Sequence, residues 1–319
     1  MSKKFIVLLS RQRSGTNALR SVLESHPKIH CCGEIMSYAD KDIPDSKIES
    51  DLNKKDSFVS FAKNQCGDRY DDPDNHIKIF EEFVQVLHKM HDKEITAIDL
   101  KYNSTHLVSA RWKELHEVPL FNWFQANEIP VIRLRRDNYL KVLLSDQIAE
   151  MRQQWHDLDP SNEKYFEGAK PRAMNATVPN KEGDMEYLLH RIKCLQLEDT
   201  IVDATFRNYD HLCQVTYSEM FPELGCPLNE QVMQRISEFL GIEYDYETTP
   251  WTTKSIPRPV WEVITNWQQV SAALRGTQFE HFLADELMFQ NGDFQEPPVV
   301  ESPVAFSTAA DLLAKVTSK

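Results

Sequence analysis

The chain is 319 residues long, and its 36 Lys and Arg against 49 Asp and Glu give a formal net charge of −13. That balance, with no basic block, argues against nucleic acid or heparin-like polyanions as partners, because these are held by clustered cations that release counterions. No stretch approaches the roughly 18 apolar residues of a membrane span, and the opening apolar run is too short for a signal peptide, so the expectation is a soluble cytoplasmic protein with no membrane partner, acting on neutral or cationic small molecules.

Six cysteines fit that compartment. Cys31 and Cys32 are adjacent and Cys66, Cys194, Cys213 and Cys226 are scattered, with neither CxxC spacing nor a disulfide framework, so they read as reduced thiols. The sequons at Asn103 and Asn175 would matter only in a secreted protein.

Residues 5–10 form a continuous apolar run of strand length, followed by a polar loop and then by Ala18, Leu19, Val22 and Leu23 at helical spacing. Residues 29–34 read as a second short strand and residues 40–56 as a charged, solvated loop. Phe80, Phe83, Val84, Leu87 and Met90 recur as on a helix and precede a buried strand at 94–100. A short helix at 119–127 leads to a strand at 130–134 opened by Pro130, where the missing N–H does least harm. Tyr139, Leu140, Leu143, Leu144, Ile148 and Met151 then line one side of a helix capped by Asp137 or Asn138.

Periodicity disappears at 157–184, which Pro160, Pro171 and Pro179 punctuate. A loop of that length reads as a lid over an acceptor, with residues 68–74 as a second contributor. Met185, Leu188, Leu189, Ile192 and Leu195 restore a helix, residues 211–217 give a strand, and Val232, Ile236, Phe239 and Leu240 give a helix stopped by Gly241. Strands separated by helices predict an α/β fold: a P-loop-like, mainly parallel sheet flanked by helices on both faces, in a single domain over residues 1–290. Residues 291–319 read as a tail ending in a small helix at 308–316, and the six tryptophans as core or lid residues rather than a stacking platform.

The loop after the first strand carries the chemistry. Ser10-Arg11-Gln12-Arg13-Ser14-Gly15-Thr16-Asn17 lies between a buried strand and a helix, where main-chain amides and the helix dipole make an anion site. Gly15 lets the backbone approach an oxygen, Ser14 and Thr16 offer hydroxyls, and Arg11, Arg13 and Arg20 crowd one turn of an acidic protein. The GxxxxGK[ST] pattern of a Walker A loop is absent.

The stretch Arg13-Ser14-Gly15-Thr16-Asn17-Ala18-Leu19-Arg20, with His26-Pro27 and Gly33-Glu34 after it, resembles the 5′-phosphosulfate loop of sulfotransferases, most closely the branch holding protein-tyrosine sulfotransferases and Stf0-like bacterial enzymes. Arg135-Arg136-Asp137-Asn138 with Ser145 is similar to the arginine and serine that hold the donor's 3′-phosphate in that family. The nine-residue separation of Arg136 and Ser145 is one longer than usual, which leaves open which arginine makes the contact. The segment from Val215 to Met220 resembles a family strand, and Ile236 to Ile242 the helix after it.

The resemblance implies 3′-phosphoadenosine 5′-phosphosulfate (PAPS) as co-substrate, no metal, and transfer of a sulfuryl group to a hydroxyl or amine of a small-molecule acceptor. It implies donor contacts from Arg11, Arg13, Ser14, Gly15, Thr16, Asn17, Arg135 or Arg136, Ser145 and Tyr217. Glu34 matches the family's catalytic glutamate and is the candidate general base. Lys101, at the end of a strand where ligands collect in open parallel sheets, matches a lysine that steadies the sulfuryl oxygens. His106 is a rival base. Many members carry lysine where Arg13 stands, and a guanidinium, which stays charged, stabilises anionic charge without donating its proton.

Two other readings compete. Residues 95–99 also read as a Walker B strand, with Asp99 available for Mg²⁺ in a P-loop kinase. A PAPS-binding protein without turnover is the second.

Overall fold

Strand β1 (Lys4–Ser10) is buried along all but its first residue, as an unbroken apolar run requires of a strand covered on both faces. It lies at the centre of a sheet with β2 (Ile29–Glu34), β3 (Ile95–Lys101), β4 (Val131–Arg135) and β5 (Leu212–Thr216), in the order β2-β3-β1-β4-β5 and with all four pairings parallel. The computed structural model describes residues 4–36, 57–108, 118–152, 185–221, 228–247, 249–250, 260–264 and 266–284. The expected loop at 40–56, the lid at 157–184 and the tail at 291–319 with its small helix lie outside the described residues.

Helices around the sheet, in chain order, are α1 (Thr16–Ser25), the one-turn α2 (Phe58–Phe61), α3 (His76–Met90), α4 (Pro119–Ala126), α5 (Tyr139–Arg152), α6 (Met185–Thr205), the one-turn α7 (Tyr217–Met220), α8 (Glu230–Leu240), the one-turn α9 (Val260–Val263) and α10 (Trp267–Leu274). The pleat alternates side chains between the faces. Ile6, Leu8, Ala97, Ile132 and Leu134 pack beneath Leu19, Val22 and Leu23 of α1 and Val232, Met233 and Ile236 of α8. Phe5, Val7, Leu9, Ile98 and Leu100 pack beneath Phe80 and Phe83 of α3 and Phe121 and Phe124 of α4. A further apolar cluster joins α5, α6, α9 and α10 through Leu140, Leu144, Ile192, Leu195, Val270 and Leu274. This is the α/β architecture the alternating pattern predicts. No disulfide joins the described cysteines, and no described helix is long and apolar enough to cross a membrane.

Four boundaries differ from expectation or sharpen it. Asn138, and not Asp137, caps α5: its Oδ1 accepts from the Lys141 amide at 3.1 Å. α6 runs ten residues past Leu195, where its inner face mixes Val202 with Asp199, buried against Arg133, and so breaks the apolar pattern. Tyr217 opens α7 and does not close the strand, since Thr216 and Glu219 form a reciprocal capping box that starts a helix there. Between α2 and α3, residues 62–75 wind through π and 3₁₀ turns that show no apolar periodicity in the sequence. Gly241 ends α8 as expected, in the left-handed conformation at φ +68°. Of the tryptophans, Trp123 packs edge-on to Phe80 and donates to Glu81, and Trp267 is buried in the helical cluster.

Candidate active site

At the end of β1 the chain reverses through Arg13 at φ +65° and Gly15 at φ +87°, and α1 starts at Thr16. A left-handed arginine is uncommon and strained. It throws the turn back over the carboxyl edge of the sheet, where the first amides of α1 point along the helix axis away from the core. Among the described residues, the amides of Ser14, Gly15 and Thr16 donate to no backbone or side-chain acceptor, and no acidic residue lies in the first turn of α1. Gly15 has a second reason to lack a side chain: a Cβ there would lie 3.0 Å from two ring carbons of Tyr217 and 3.2 Å from Phe221. The tyrosine ring closes directly over the loop's backbone.

Cations ring this turn. Arg13 Nε donates to Ser145 Oγ at 3.0 Å. Arg136 donates through Nη1 to the Arg13 carbonyl at 3.1 Å, and its guanidinium stacks 4.5 Å over the Tyr217 ring. The Nε of Arg136 is buried with no acceptor among the described residues. Arg135 points elsewhere, donating to Asp137 at 2.7 Å with Asp203 at 3.6 Å. Arg11 pairs with Glu198 of α6. Asn17 is half-buried in the first turn of α1. Of the two candidate arginines, Arg136 is the one gathered with Arg13, Ser145 and Tyr217.

The second half of the site is built from β2 and β3. Asp99 and Lys101 alternate along β3 and therefore share the face that α1 covers. The Lys101 ammonium, 2% exposed, donates to both oxygens of Asp99 at 2.8 and 3.0 Å, to Ser10 Oγ at 3.1 Å and to the Thr16 hydroxyl. Glu34 joins them with Oε1 3.6 Å from Lys101 Nζ. It reaches that position because β2 is irregular between Cys32 and Glu34: Cys32 pairs with Ile98 and Glu34 with Asp99, leaving Gly33 as the extra residue of a bulge. Simple alternation would have put Glu34 on the opposite face, with Cys32.

Burial raises the pKa of Glu34, Lys101 pulls it down, Asp99 adds to the rise and Arg20 opposes it. Burial dominates, and Lys101 offsets it only in part because its ammonium is closer to Asp99, at 2.8 Å, than to Glu34, at 3.6 Å. A carboxyl whose pKa is raised in this way is a stronger proton acceptor than an ordinary glutamate, and it faces a cation that stabilises anionic oxygen. His106 lies in the 3₁₀ turn Tyr102–Leu107 that follows β3, and its side chain is outside the described residues.

The sequence placed Ser10 and Arg20 at the anion-binding turn, but it gave neither of them, nor Asp99, a part in holding Lys101 or Glu34. Ser10 and Asp99 both hold Lys101, and Asp99 entered only as a Mg²⁺ ligand in the kinase reading. Arg20 is 7% exposed on α1, one turn beyond Thr16, and its charge bears on Glu34. The available signal was periodicity: Asp99 and Lys101 at strand spacing, Thr16 and Arg20 at helical spacing, four polar residues on faces that are otherwise buried.

No family model matches the chain, and no curated protein does. Among solved structures, a sulfotransferase from Alicyclobacillus acidocaldarius superimposes over 85% of this chain and 95% of that one, with a TM-score of 0.37 and 14% sequence identity, which is too loose a likeness to argue from.

Proposed function

We propose that the chain is a sulfotransferase that moves the sulfuryl group of PAPS to a hydroxyl or amine of a small-molecule acceptor. The observation that carries this reading is the Lys101 ammonium between the Thr16 hydroxyl and the Asp99 carboxylate. In a P-loop kinase the loop hydroxyl and the strand carboxylate hold Mg²⁺ between them. Here a lysine stands between the corresponding groups, so the charge that a nucleotide kinase takes from a metal comes from a side chain. The kinase reading loses its metal ligands to that ammonium.

The residues fit a donor with charge at both ends. Amides of Ser14, Gly15 and Thr16 with the Arg13 guanidinium suit the 5′ end, and the buried Nε of Arg136 beside Ser145 suits a second phosphate. When bound, PAPS supplies the activated sulfuryl group, whose bond to the 5′-phosphate oxygen breaks as the acceptor's oxygen or nitrogen bonds to sulfur. Glu34 takes the acceptor's proton. Lys101 and Arg13 face the charge that develops on the sulfuryl and leaving phosphate oxygens, and because these cations are already fixed by protein partners they need no reorganisation. Tyr217 shields the loop from water and holds Arg136 in place.

The test is thermal protection followed by turnover. The product nucleotide 3′-phosphoadenosine 5′-phosphate should raise the melting temperature in the presence of a chelator, and sulfur-labelled PAPS should label a component of a metabolite extract. Protection by Mg-ATP alone would overturn the assignment in favour of a kinase. Protection without labelling of any extract would leave a nucleotide-binding protein without turnover.

A further inference from the structure

Away from this loop, at the other end of β2, His30, Cys32 and His91 bring one donor atom each to within 4.8 Å of one another. His30 and Cys32 are alternate residues of an edge strand and share its α3 face, and His91 is the residue that ends α3. The donors therefore stand on the backbone of a strand and a helix end, not on long loops. Two imidazoles and a thiol are a borderline-soft donor set, the combination that favours Zn²⁺ over the hard cations.

The surroundings resemble those of a ligated histidine. Glu24 of α1 reaches around the sheet edge, its Oε1 3.2 Å from His30 Nδ1 and its other oxygen on the Cys31 amide. A carboxylate on Nδ1 fixes the ring's tautomer and orientation and leaves Nε2 as the donor nitrogen. Lys93, with Nζ 3.5 Å from the same Glu24 oxygen and bonded to the Ile29 carbonyl at 2.6 Å, holds that carboxylate and the start of β2 in place.

We propose that His30, Cys32 and His91 bind one Zn²⁺ as a structural site pinning the edge strand to the end of α3, with Glu24 orienting His30. Zn–N bonds of about 2.1 Å and a Zn–S bond of about 2.3 Å at tetrahedral angles bring donors to within roughly 3.4–3.6 Å of one another, so each donor moves inward by less than about 1 Å. The rings of His30 and His91 stack at 3.6 Å between centroids, 25° apart. Two nearly parallel ring planes cannot both contain one ion, so binding swings the half-buried His91 out of the stack. The Cys32 thiol proton leaves to solvent as the sulfur–metal bond forms, and a water fills the fourth position. His30 and Cys32 lie on the α3 face of the sheet, whereas the Gly33 bulge turns Glu34 to the α1 face, so the ion does not touch the reacting groups.

Full-length protein treated with chelator and titrated with Co²⁺ should take up one equivalent, giving the visible bands of tetrahedral cobalt and a near-ultraviolet thiolate-to-cobalt charge transfer, both removed when Zn²⁺ displaces it. Cys32→Ser should lose the charge-transfer band, and His91→Ala should bind at least tenfold more weakly, while Cys66→Ser and Cys213→Ser retain the full spectrum. Zn²⁺ should raise the melting temperature of the parent and not of His91→Ala. Absence of stoichiometric cobalt uptake overturns the site, as does an undiminished charge-transfer band in Cys32→Ser or parental affinity in His91→Ala. Because the readouts are metal uptake, spectrum and melting, a failure here is separate from a failure of the sulfotransferase reading.

Discussion

Glu34 receives opposed influences from its neighbours, and the balance makes its titration measurable. With its pKa raised by burial, it accepts a proton only above that raised value, so kcat/KM for the acceptor should climb along an acid limb displaced upward from the ordinary glutamate range. Glu34→Gln should lose that limb and about 10²–10⁴ in kcat, with the affinity for 3′-phosphoadenosine 5′-phosphate unchanged; a retained kcat removes Glu34 from the chemistry. Stability moves with the same proton. The folded state binds it more tightly than the unfolded chain, so its contribution is full below the unfolded pKa and is lost as pH rises through the folded one. Calorimetry should therefore show Glu34→Gln gaining in melting temperature relative to the parent as pH rises above the unfolded glutamate value of about 4. Gly15 offers a sharper steric test. Ala at a φ of +87° adds strain and drives a Cβ to 3.0 Å from the Tyr217 ring, so Gly15→Ala should lose about 1–3 kcal/mol in denaturant melts and all nucleotide protection. The loop itself was legible because helix-terminus chemistry is local: a glycine, two hydroxyls and an arginine between strand and helix. Glu34 was reached by resemblance alone, since its side chain meets Lys101 only through the Gly33 bulge, which alternation does not reveal. The choice between Arg135 and Arg136 needed the structure, because adjacent residues diverge and only one meets Tyr217.

α6 shows what apolar periodicity reads and what it misses. Leu188, Ile192 and Leu195 announce a helix, but past Leu195 the buried positions are Asp199 and Val202, and Asp199 looks like a solvent-facing carboxylate in a sequence. It turns inward because Arg133, 1% exposed on β4, donates to its carboxylate at 3.2 Å, to the half-exposed Asp203 and to the Tyr102 phenol at 2.9 Å, and Tyr139 of α5 donates to Asp199 at 2.7 Å. One guanidinium thus ties α6 and the turn after β3 to the sheet, with α5 joined through Asp199 and Arg135 3.6 Å from Asp203. Removing a member of a buried charged network leaves the partner uncompensated, so Asp199→Ala should cost about 3–5 kcal/mol in urea unfolding. Asp203 is 41% exposed and its loss should cost less than about 1 kcal/mol. Equal losses at the two positions would mean that burial does not govern this network. The five strands stand within a residue or two of their expected places, because continuous apolar runs answer to burial alone, whereas α3 starts four residues before the expected stripe and α2, α9 and α10 had no expectation. The π and 3₁₀ turns at 62–75 and the early start of α7 answer to hydrogen bonds between particular neighbours, which a hydrophobic pattern does not encode.

A net charge of −13 surrounds a site whose loop is cationic, and the two fields act over different distances. Arg13, Arg136, Lys101 and the helix amides act at contact range, where screening is weak, whereas the summed acidic charge acts on approaching solutes over separations up to about the Debye length, about 8 Å at physiological ionic strength. A cationic acceptor is drawn in by that outer field, a neutral isostere is indifferent to it, and an anionic acceptor is repelled. The acceptor class is therefore readable from salt dependence before the acceptor is known. Raising ionic strength from about 0.02 to 0.5 M shortens the Debye length several-fold, so kcat/KM for a guanidinium- or ammonium-bearing hydroxyl compound should fall several-fold more than kcat/KM for its uncharged analogue. Comparing the two acceptors at saturating donor removes the salt sensitivity of nucleotide binding from the ratio. A ratio that stays flat across the series would show that the outer charge plays no part in selecting the acceptor, and that selection rests on contacts made inside the site.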